Sequence, residues 1–228
     1  MKRPSSVILA CSIVATRASA GTVGGAISVD GPVEPPAPLS ITLDKDTCGT
    51  GTMPDPSLVV TPEGRVANAV VMILGPLQGT WKETEWKLDQ KKCEFVPHIV
   101  VMPVGKKLVV GNSDGILHNF HTLCKVNAAS NVAQPPAVKN LERTWDKPEA
   151  FRVECDVHSW MSAFIVVAEN PFYYVTGADG LYRIDDLPDG KYTLAVVHEK
   201  LGRVEKPIEI KGNKKPLILD VALPAPPR

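Results

Sequence analysis

Two short segments of this sequence carry side chains that bind transition metals. The run CDVHSWM places Cys155, His158 and Met161 close together between two apolar stretches. The run NSDGILHN begins at Asn112, directly after an earlier apolar stretch, and contains His118. One thiolate, two imidazoles and one thioether are the ligands of a type 1 copper site, in which His₂Cys forms a trigonal plane with a weak axial Met. The two segments therefore predict a mononuclear copper site.

The arrangement of these ligands suits a metal that changes its charge. Thiolate and thioether are soft ligands that suit Cu(I), whereas imidazole suits either oxidation state. Three ligands on one short loop between strands stay in place as the metal is reduced, so electron transfer needs little reorganisation. His121 is an alternative to His118, because His-x-x-His in a loop can present either ring. The spacing from Asn112 and the adjacent Asn119 favour His118.

Two other histidines, His98 and His121, are left over by this ligand set. In paired strands they could lie near the copper end, where they would form a second metal site or load copper. Hydrogen-bonded structural histidines are the alternative interpretation. His198, in the run VVHEKLG, is interpreted as structural.

The elements that position the ligands are predicted to be β-strands. Aromatic residues make up only 6% of the 228 residues, and 21 Pro and 17 Gly separate short apolar runs. Turn signals such as Asp179-Gly180 and Asp189-Gly190 recur at the spacing of a β-sandwich. The polar segment 127–148, which contains a Pro pair, is predicted to be a long loop with one helical turn at most. The predicted fold class is therefore all-β.

Charge and hydropathy narrow the function classes. Because 25 Lys and Arg balance 25 Asp and Glu, the chain has no basic field for nucleic acid. No segment of the mature chain is apolar over the length that a membrane span requires. No Ser/His/Asp order, carboxylate pair or phosphate loop stands out, so the sequence predicts a protein that is not an enzyme.

The N-terminus has the pattern of an export signal. Lys2 and Arg3 precede a short apolar stretch, and an A-x-A site ends at Ala20. This pattern predicts a signal peptide over residues 1–20 and a periplasmic or secreted mature protein. The alternatives are an uncleaved anchor and a lipoprotein site at Cys11, which lies too close to Arg3 for a normal apolar region. Cleavage removes three basic residues and leaves 22 basic against 25 acidic residues, a net charge of −3.

The ligand pattern resembles the cupredoxin family of plastocyanin-like blue copper domains. The matching motifs are Asn-x₅-His-Asn at 112–119 and Cys-x-x-His-x-x-Met at 155–161, and FVPH at 95–98 is similar to bacterial domains of the methylamine-utilisation-like type. The resemblance covers residues 93–168 and implies a Greek-key sandwich with one type 1 copper. It implies as ligands His118, Cys155, His158 and axial Met161. It also implies a periplasmic electron carrier with a redox partner protein, such as a dehydrogenase or a cytochrome.

The C-terminal part resembles a carboxypeptidase regulatory-like, or transthyretin-like, Ig-type β-sandwich. The matching residues are Thr176, Asp179-Gly180, Tyr182, Ile184, Leu187-Pro188, Gly190, Tyr192 and Leu194. The strands before and after the copper segment are each too few to bury a core alone. We therefore predict one discontinuous sandwich, 21–89 with 169–228, around a cupredoxin domain at 90–168. A sequential arrangement is the alternative.

Three cysteines remain if Cys11 leaves with the signal peptide and Cys155 binds copper. Unpaired thiols are uncommon in the oxidising compartments that exported proteins enter. We favour a disulfide between Cys48 and Cys93, with Cys93–Cys124 as the second choice. Cys124 is then a small buried residue or an extra soft ligand near the site.

The function that these features predict is single-electron transfer by a blue copper protein. The alternatives are copper storage or delivery, and a metal-free structural or carbohydrate-binding β-sandwich. A multicopper oxidase or a copper nitrite reductase would need a second, histidine-rich metal site. One domain with three spare histidines does not supply such a site.

Overall fold

The computed structural model describes residues 20–211 and 215–226, and the predicted all-β class is confirmed. The predicted signal peptide lies outside the described residues, except for Ala20, which begins the first strand. No helix in the described ranges has the length and apolar character needed to cross a membrane. The elements are β1 (Ala20–Asp30), β2 (Leu39–Ser40), α1 (Lys45–Cys48), β3 (Thr52–Met53), β4 (Val70–Ile73), β5 (Trp86–Lys91), β6 (Glu94–Val96), β7 (Ile99–Pro103), β8 (Lys107–Asn112), β9 (His118–Thr122), β10 (Ser130–Gln134), β11 (Asn140–Thr144), β12 (Glu149–Glu154), β13 (Ser162–Ala168), β14 (Tyr173–Val175), β15 (Leu181–Pro188), β16 (Gly190–His198), β17 (Gly202–Ile210), β18 (Leu217–Ile218) and β19 (Val221–Pro224).

Strands β5 to β13 form the two sheets of a β-sandwich, which we call the first sandwich. One sheet has the order β10-β9-β12-β13-β7 and the other has the order β11-β8-β5-β6. Both contain parallel and antiparallel pairs, since β13 pairs parallel with β7 and antiparallel with β12. The core between the sheets, which we call the first core, includes Leu88, Val110, Phe120, Val153 and Ile165.

Strands from the two ends of the described chain form two further sheets. β1 pairs antiparallel with β15, and then parallel first with β18 and afterwards with β19. Gly25 lies where β1 changes partner, and a Cβ atom there would lie only 2.2 Å from the carbonyl oxygen of Leu219. The other sheet has the order β14-β4-β16-β17. The second core, which includes Val23, Leu194 and Val196, contains residues of both sheets.

A third hydrophobic cluster joins the two sandwiches. It contains Val101 and Phe164 from β7 and β13, together with Val70 and Val197 from β4 and β16. Because β13 packs against the first core on one face and this cluster on the other, all seven of its residues are buried. Such a strand has a continuous apolar sequence rather than an alternating one.

The prediction of a loop over residues 127–148 was wrong. This segment contains β10 and β11, which pair with β9 and β8 as strands at the ends of their sheets. Their sequences, SNVAQ and NLERT, are mostly polar, and most of their side chains are exposed or half-buried. Backbone hydrogen bonds to β9 and β8 hold these two strands in place. Such bonds do not depend on apolar side chains, so the pattern of apolar residues in the sequence does not indicate them.

Candidate metal centre

Three buried side chains meet in the first sandwich. His118 begins β9, whereas Cys155 and His158 lie in the loop between β12 and β13. The Nδ1 atoms of the two histidines are 3.0 Å apart, and the Sγ atom of Cys155 lies 3.9 Å from His118 Nδ1 and 3.8 Å from His158 Nδ1. The centre of this triangle is about 2.1 Å from each atom, close to zinc–ligand distances of about 2.0–2.1 Å for nitrogen and 2.3 Å for sulfur. The three atoms are therefore spaced for a transition metal ion.

Two carboxylates orient the imidazole rings. Asp114 Oδ2 lies 2.9 Å from His118 Nε2, and Asp44 Oδ2 lies 2.8 Å from His158 Nε2. With each Nε2 proton donated to its carboxylate, both Nδ1 atoms direct lone pairs into the triangle. These lone pairs repel each other until a cation binds between them, and carboxylate–histidine pairs of this kind are typical of metal sites. One thiolate and two imidazoles fit copper well.

The electrostatic environment favours the neutral ring of His118. Burial lowers the pKa of His118 below its ordinary value, and a charge on the neighbouring His158 lowers it further. The hydrogen bond that His118 donates to Asp114 opposes this shift without reversing it. A neutral imidazole is the form that donates a lone pair to a metal.

The ligand loop is closed by its own backbone. The Met161 N–H donates to the His158 carbonyl at 2.9 Å, and the Cys155 N–H donates to the Met161 carbonyl at 3.3 Å. Met161 is fully buried in the first core. Trp160 donates from Nε1 to the carbonyl of Cys93 at 3.1 Å, and its ring centroid lies 5.1 Å from that of His158. These contacts hold the loop from Cys155 to Met161 against the first core.

Two buried asparagines hold the segments around His118. Asn119 Oδ1 accepts the N–H of Asp156 at 2.6 Å and so ties β9 to the ligand loop. Asn112 Nδ2 donates to the Ile116 carbonyl at 2.8 Å, and its Oδ1 accepts the N–H of Asp114 at 3.2 Å. The asparagines of the sequence motif thus shape the backbone beside the site.

The structure brings His118, rather than His121, to Cys155 and His158. His121 is partly exposed, and its Nδ1 lies 2.9 Å from Asp156 Oδ1. His98 Nδ1 lies 3.1 Å from the Ser162 carbonyl, and its Nε2 contacts the Glu199 carboxylate. Within residues 20–211 and 215–226, the clusters of metal-binding side chains include neither His98 nor His121.

The remaining cysteines lie in different surroundings. Cys48 and Cys93 form a disulfide with a Cα–Cα distance of 5.1 Å. Their sulfur atoms lie within 4.8 Å of a ring nitrogen of His158, so the disulfide adjoins the metal centre. Cys124 is free and half-buried at the edge of the first core, where burial raises the pKa of its thiol. It belongs to none of the metal-binding clusters found in the described ranges.

The two orienting carboxylates were missed by the sequence analysis. Asp114 has a local signal, since it lies in an Asn-Ser-Asp-Gly turn four residues before His118. Asp44 has no local signal, because 114 residues separate it from His158.

Comparison with known proteins gives structural matches only. No family model matches the chain, and no curated protein matches it. A purple cupredoxin from Nitrosopumilus maritimus matches at 14% identity over 37% of this chain and 100% of that chain, with a TM-score of 0.32. Plastocyanin from Dryopteris crassirhizoma matches at 12% identity over 36% of this chain and 98% of that chain, with a TM-score of 0.32. A copper-containing nitrite reductase from Thermus scotoductus SA-01 matches at 16% identity over 42% of this chain, with a TM-score of 0.35; only 26% of the reductase is covered.

Proposed function

We propose that this protein is an exported type 1 copper protein that carries single electrons between redox partners. The observation that carries the proposal is the buried triangle of His118 Nδ1, His158 Nδ1 and Cys155 Sγ. Cys155 would supply the thiolate, His118 and His158 would supply the imidazoles, and Met161 would supply the thioether. Bound copper supplies a centre that alternates between Cu(II) and Cu(I).

The protein's part is to keep the ligands in one geometry and to exclude water. His118, Cys155 and His158 are all buried, so a small substrate has no open path to them. An electron needs no such path, because it passes through the packed atoms around the ligands. Burial of the whole ligand set therefore favours a carrier over an enzyme.

The redox partner, a dehydrogenase or a cytochrome in this proposal, would dock on apolar surface beside the ligands. Leu117 precedes His118 and is 45% exposed. Val157 precedes His158 and is partly buried against the first core. Leu117 and Val157 are the sequence neighbours of two proposed ligands. A partner that contacts them would therefore be separated from the metal by only a few covalent bonds.

The same proposal divides the chain into a cupredoxin domain at 90–168 and a discontinuous carboxypeptidase regulatory-like sandwich at 21–89 and 169–228. The separate first and second cores support the division. The segment 39–53 departs from it, since Cys48 and Met53 pack against the first core. We assign the second sandwich a supporting role for the copper domain.

The test is to add Cu(II) to the purified protein and record its visible spectrum. We expect an intense thiolate-to-copper charge-transfer band that is absent in Cys155→Ser. Cys124→Ser is the matched control, because Cys124 is the other free cysteine of the described chain. A folded wild-type protein without the band, or loss of the band in the control, would contradict the proposal. Repeated reduction and oxidation without loss of copper would distinguish a carrier from a storage or delivery protein.

A further inference from the structure

A short segment from the N-terminal part of the chain lies beside the metal centre. Residues 39–53, which we call the cover segment, are closed at their base by antiparallel pairing of β2 with β3. Ile41 and Met53 pack against the first core, and Cys48 is buried there. The disulfide to Cys93 fastens the middle of the segment covalently. The cover segment is therefore fixed at both ends and near its centre.

Asp44 uses its backbone and its side chain for different purposes. Its carbonyl accepts the N–H groups of Thr47 and Cys48 at 2.9 and 2.8 Å, which begins α1. Its carboxylate makes no capping hydrogen bond to the helix. The residue adopts φ 46° and ψ 44°, a left-handed conformation that is uncommon for residues other than glycine and better tolerated by Asp and Asn. This conformation accompanies the contact of the carboxylate with His158 Nε2.

The disulfide links the two carboxylates that orient the imidazole rings. Asp44 lies four residues before Cys48, and Asp114 Oδ2 accepts the N–H of Cys93 at 2.8 Å. The same carboxylate of Asp114 contacts His118 Nε2. Both histidine rings are thus oriented through groups attached to one covalent cross-link.

We propose that Asp44 is a positioning residue for copper and that the cover segment shields the ring edge of His158. This inference rests on the proposed function. The side chain of His158 is completely buried, whereas that of Asp44 is 46% exposed, so the carboxylate lies between the ring and solvent. The carboxylate holds the ring with Nδ1 directed at the metal, and its negative charge stabilises Cu(II) relative to Cu(I). The shield keeps small anions away from the copper.

Three variants separate these effects. Asp44→Gly removes the carboxylate in a residue that tolerates positive φ. Asp44→Asn keeps an acceptor for His158 Nε2 but loses the charge. Asp46→Asn is the matched control, because it removes an exposed carboxylate from the same turn.

The measurements are Cu(II) affinity, reduction potential and the response of the charge-transfer band to azide. We expect Asp44→Gly to weaken Cu(II) binding roughly 10–100-fold and to let azide change the spectrum. Asp44→Asn should still exclude azide but should show a higher reduction potential. Each tenfold loss of Cu(II) affinity relative to Cu(I) raises the potential by about 59 mV. Asp46→Asn should match the wild type in all three.

A fourth measurement uses the metal-free protein. Diethyl pyrocarbonate should modify His158 readily in Asp44→Gly and slowly in the wild type, as detected by mass spectrometry. Equal affinity, azide response and modification in Asp44→Gly and Asp46→Asn would overturn this inference and leave the copper proposal standing. A wild-type protein that binds no Cu(II) would overturn both.

Discussion

At the scale of single residues, the carboxylate of Asp114 is the acceptor for several hydrogen bonds beside the site. Its carboxylate faces the N–H groups of Lys92 and Cys93 and the Nε2 atom of His118. All three are donors in the arrangement that directs the Nδ1 lone pair of His118 into the triangle formed with Cys155 and His158. A group that accepts hydrogen bonds through both oxygens, an ionised carboxylate, satisfies them.

Asp114→Asn should therefore weaken both metal binding and folding. One of the two acceptor positions becomes an NH₂ group that faces a donor, so at least one of these hydrogen bonds to a charged acceptor is lost. We expect Cu(II) affinity to fall roughly 10–100-fold and the free energy of unfolding to fall by about 1–3 kcal/mol. Titration with Cu(II) and urea unfolding measure the two effects. Asp146→Asn, a change at an exposed aspartate, is the control, and equal results for the two variants would refute this role of Asp114.

His198 is a second residue whose ionisation affects the molecule. Its ring is buried, and its Nδ1 accepts the N–H groups of Lys200 and Leu201. Burial lowers the pKa of His198 to about 4, although the charge of Glu199 partly opposes the shift. In the unfolded chain the pKa returns to its ordinary value of about 6.5.

The free energy of unfolding should consequently fall as the pH decreases from about 6.5 to about 4. In that interval the unfolded chain binds a proton at His198 and the folded chain does not; below it both bind one and the loss ends. Between pH 7 and pH 5 we expect the wild type to lose about 2 kcal/mol more than His198→Gln. Urea unfolding of both proteins at the two pH values measures this difference. Parallel pH profiles would show that His198 is protonated equally in both states.

At the scale of elements, local patterns indicated the proposed ligands because each of these residues lies at or near the end of a strand. Cys155 and His158 lie in one loop, so two residues that are close in the sequence are also close in the structure. His118 rather than His121 reaches them, because side chains three apart on β9 point to opposite faces of the sheet. The motif could not decide this point until the strand and its buried face were known.

Other elements could not be predicted because their environment is formed by distant parts of the chain. β10 and β11 have polar sequences and depend on hydrogen bonds to neighbouring strands. β13 has an apolar sequence that indicates burial but does not say that two different cores cover its faces. Asp44 reaches His158 because the disulfide and the packing of residues 39–53 hold that segment against the first core. Tertiary contacts, rather than local propensity, determine these features.

At the scale of the whole molecule, a partly buried polar contact joins the two sandwiches. His98 precedes β7, and Glu199 lies in the turn between β16 and β17. The His98 ring contacts the Glu199 carboxylate, whose side chain is only 1% exposed. Arg152 Nε lies 3.8 Å from the other carboxylate oxygen, which has no hydrogen-bond partner. The position of Glu199 in this interface therefore depends largely on His98.

His98→Ala should be more destabilising than the corresponding change at His121, which is partly exposed. It leaves the Glu199 carboxylate without its hydrogen-bond donor in a largely buried position, which costs about 1–3 kcal/mol. His121→Ala breaks a similar contact with Asp156 near the surface, for which we expect less than about 1 kcal/mol. Urea unfolding gives both values. Adding Glu199→Gln to His98→Ala should restore part of the loss, because a neutral amide costs less to bury than a carboxylate. Equal values for the two single variants would mean that the contact between the sandwiches contributes little, and the apolar cluster around Phe164 would then hold them together.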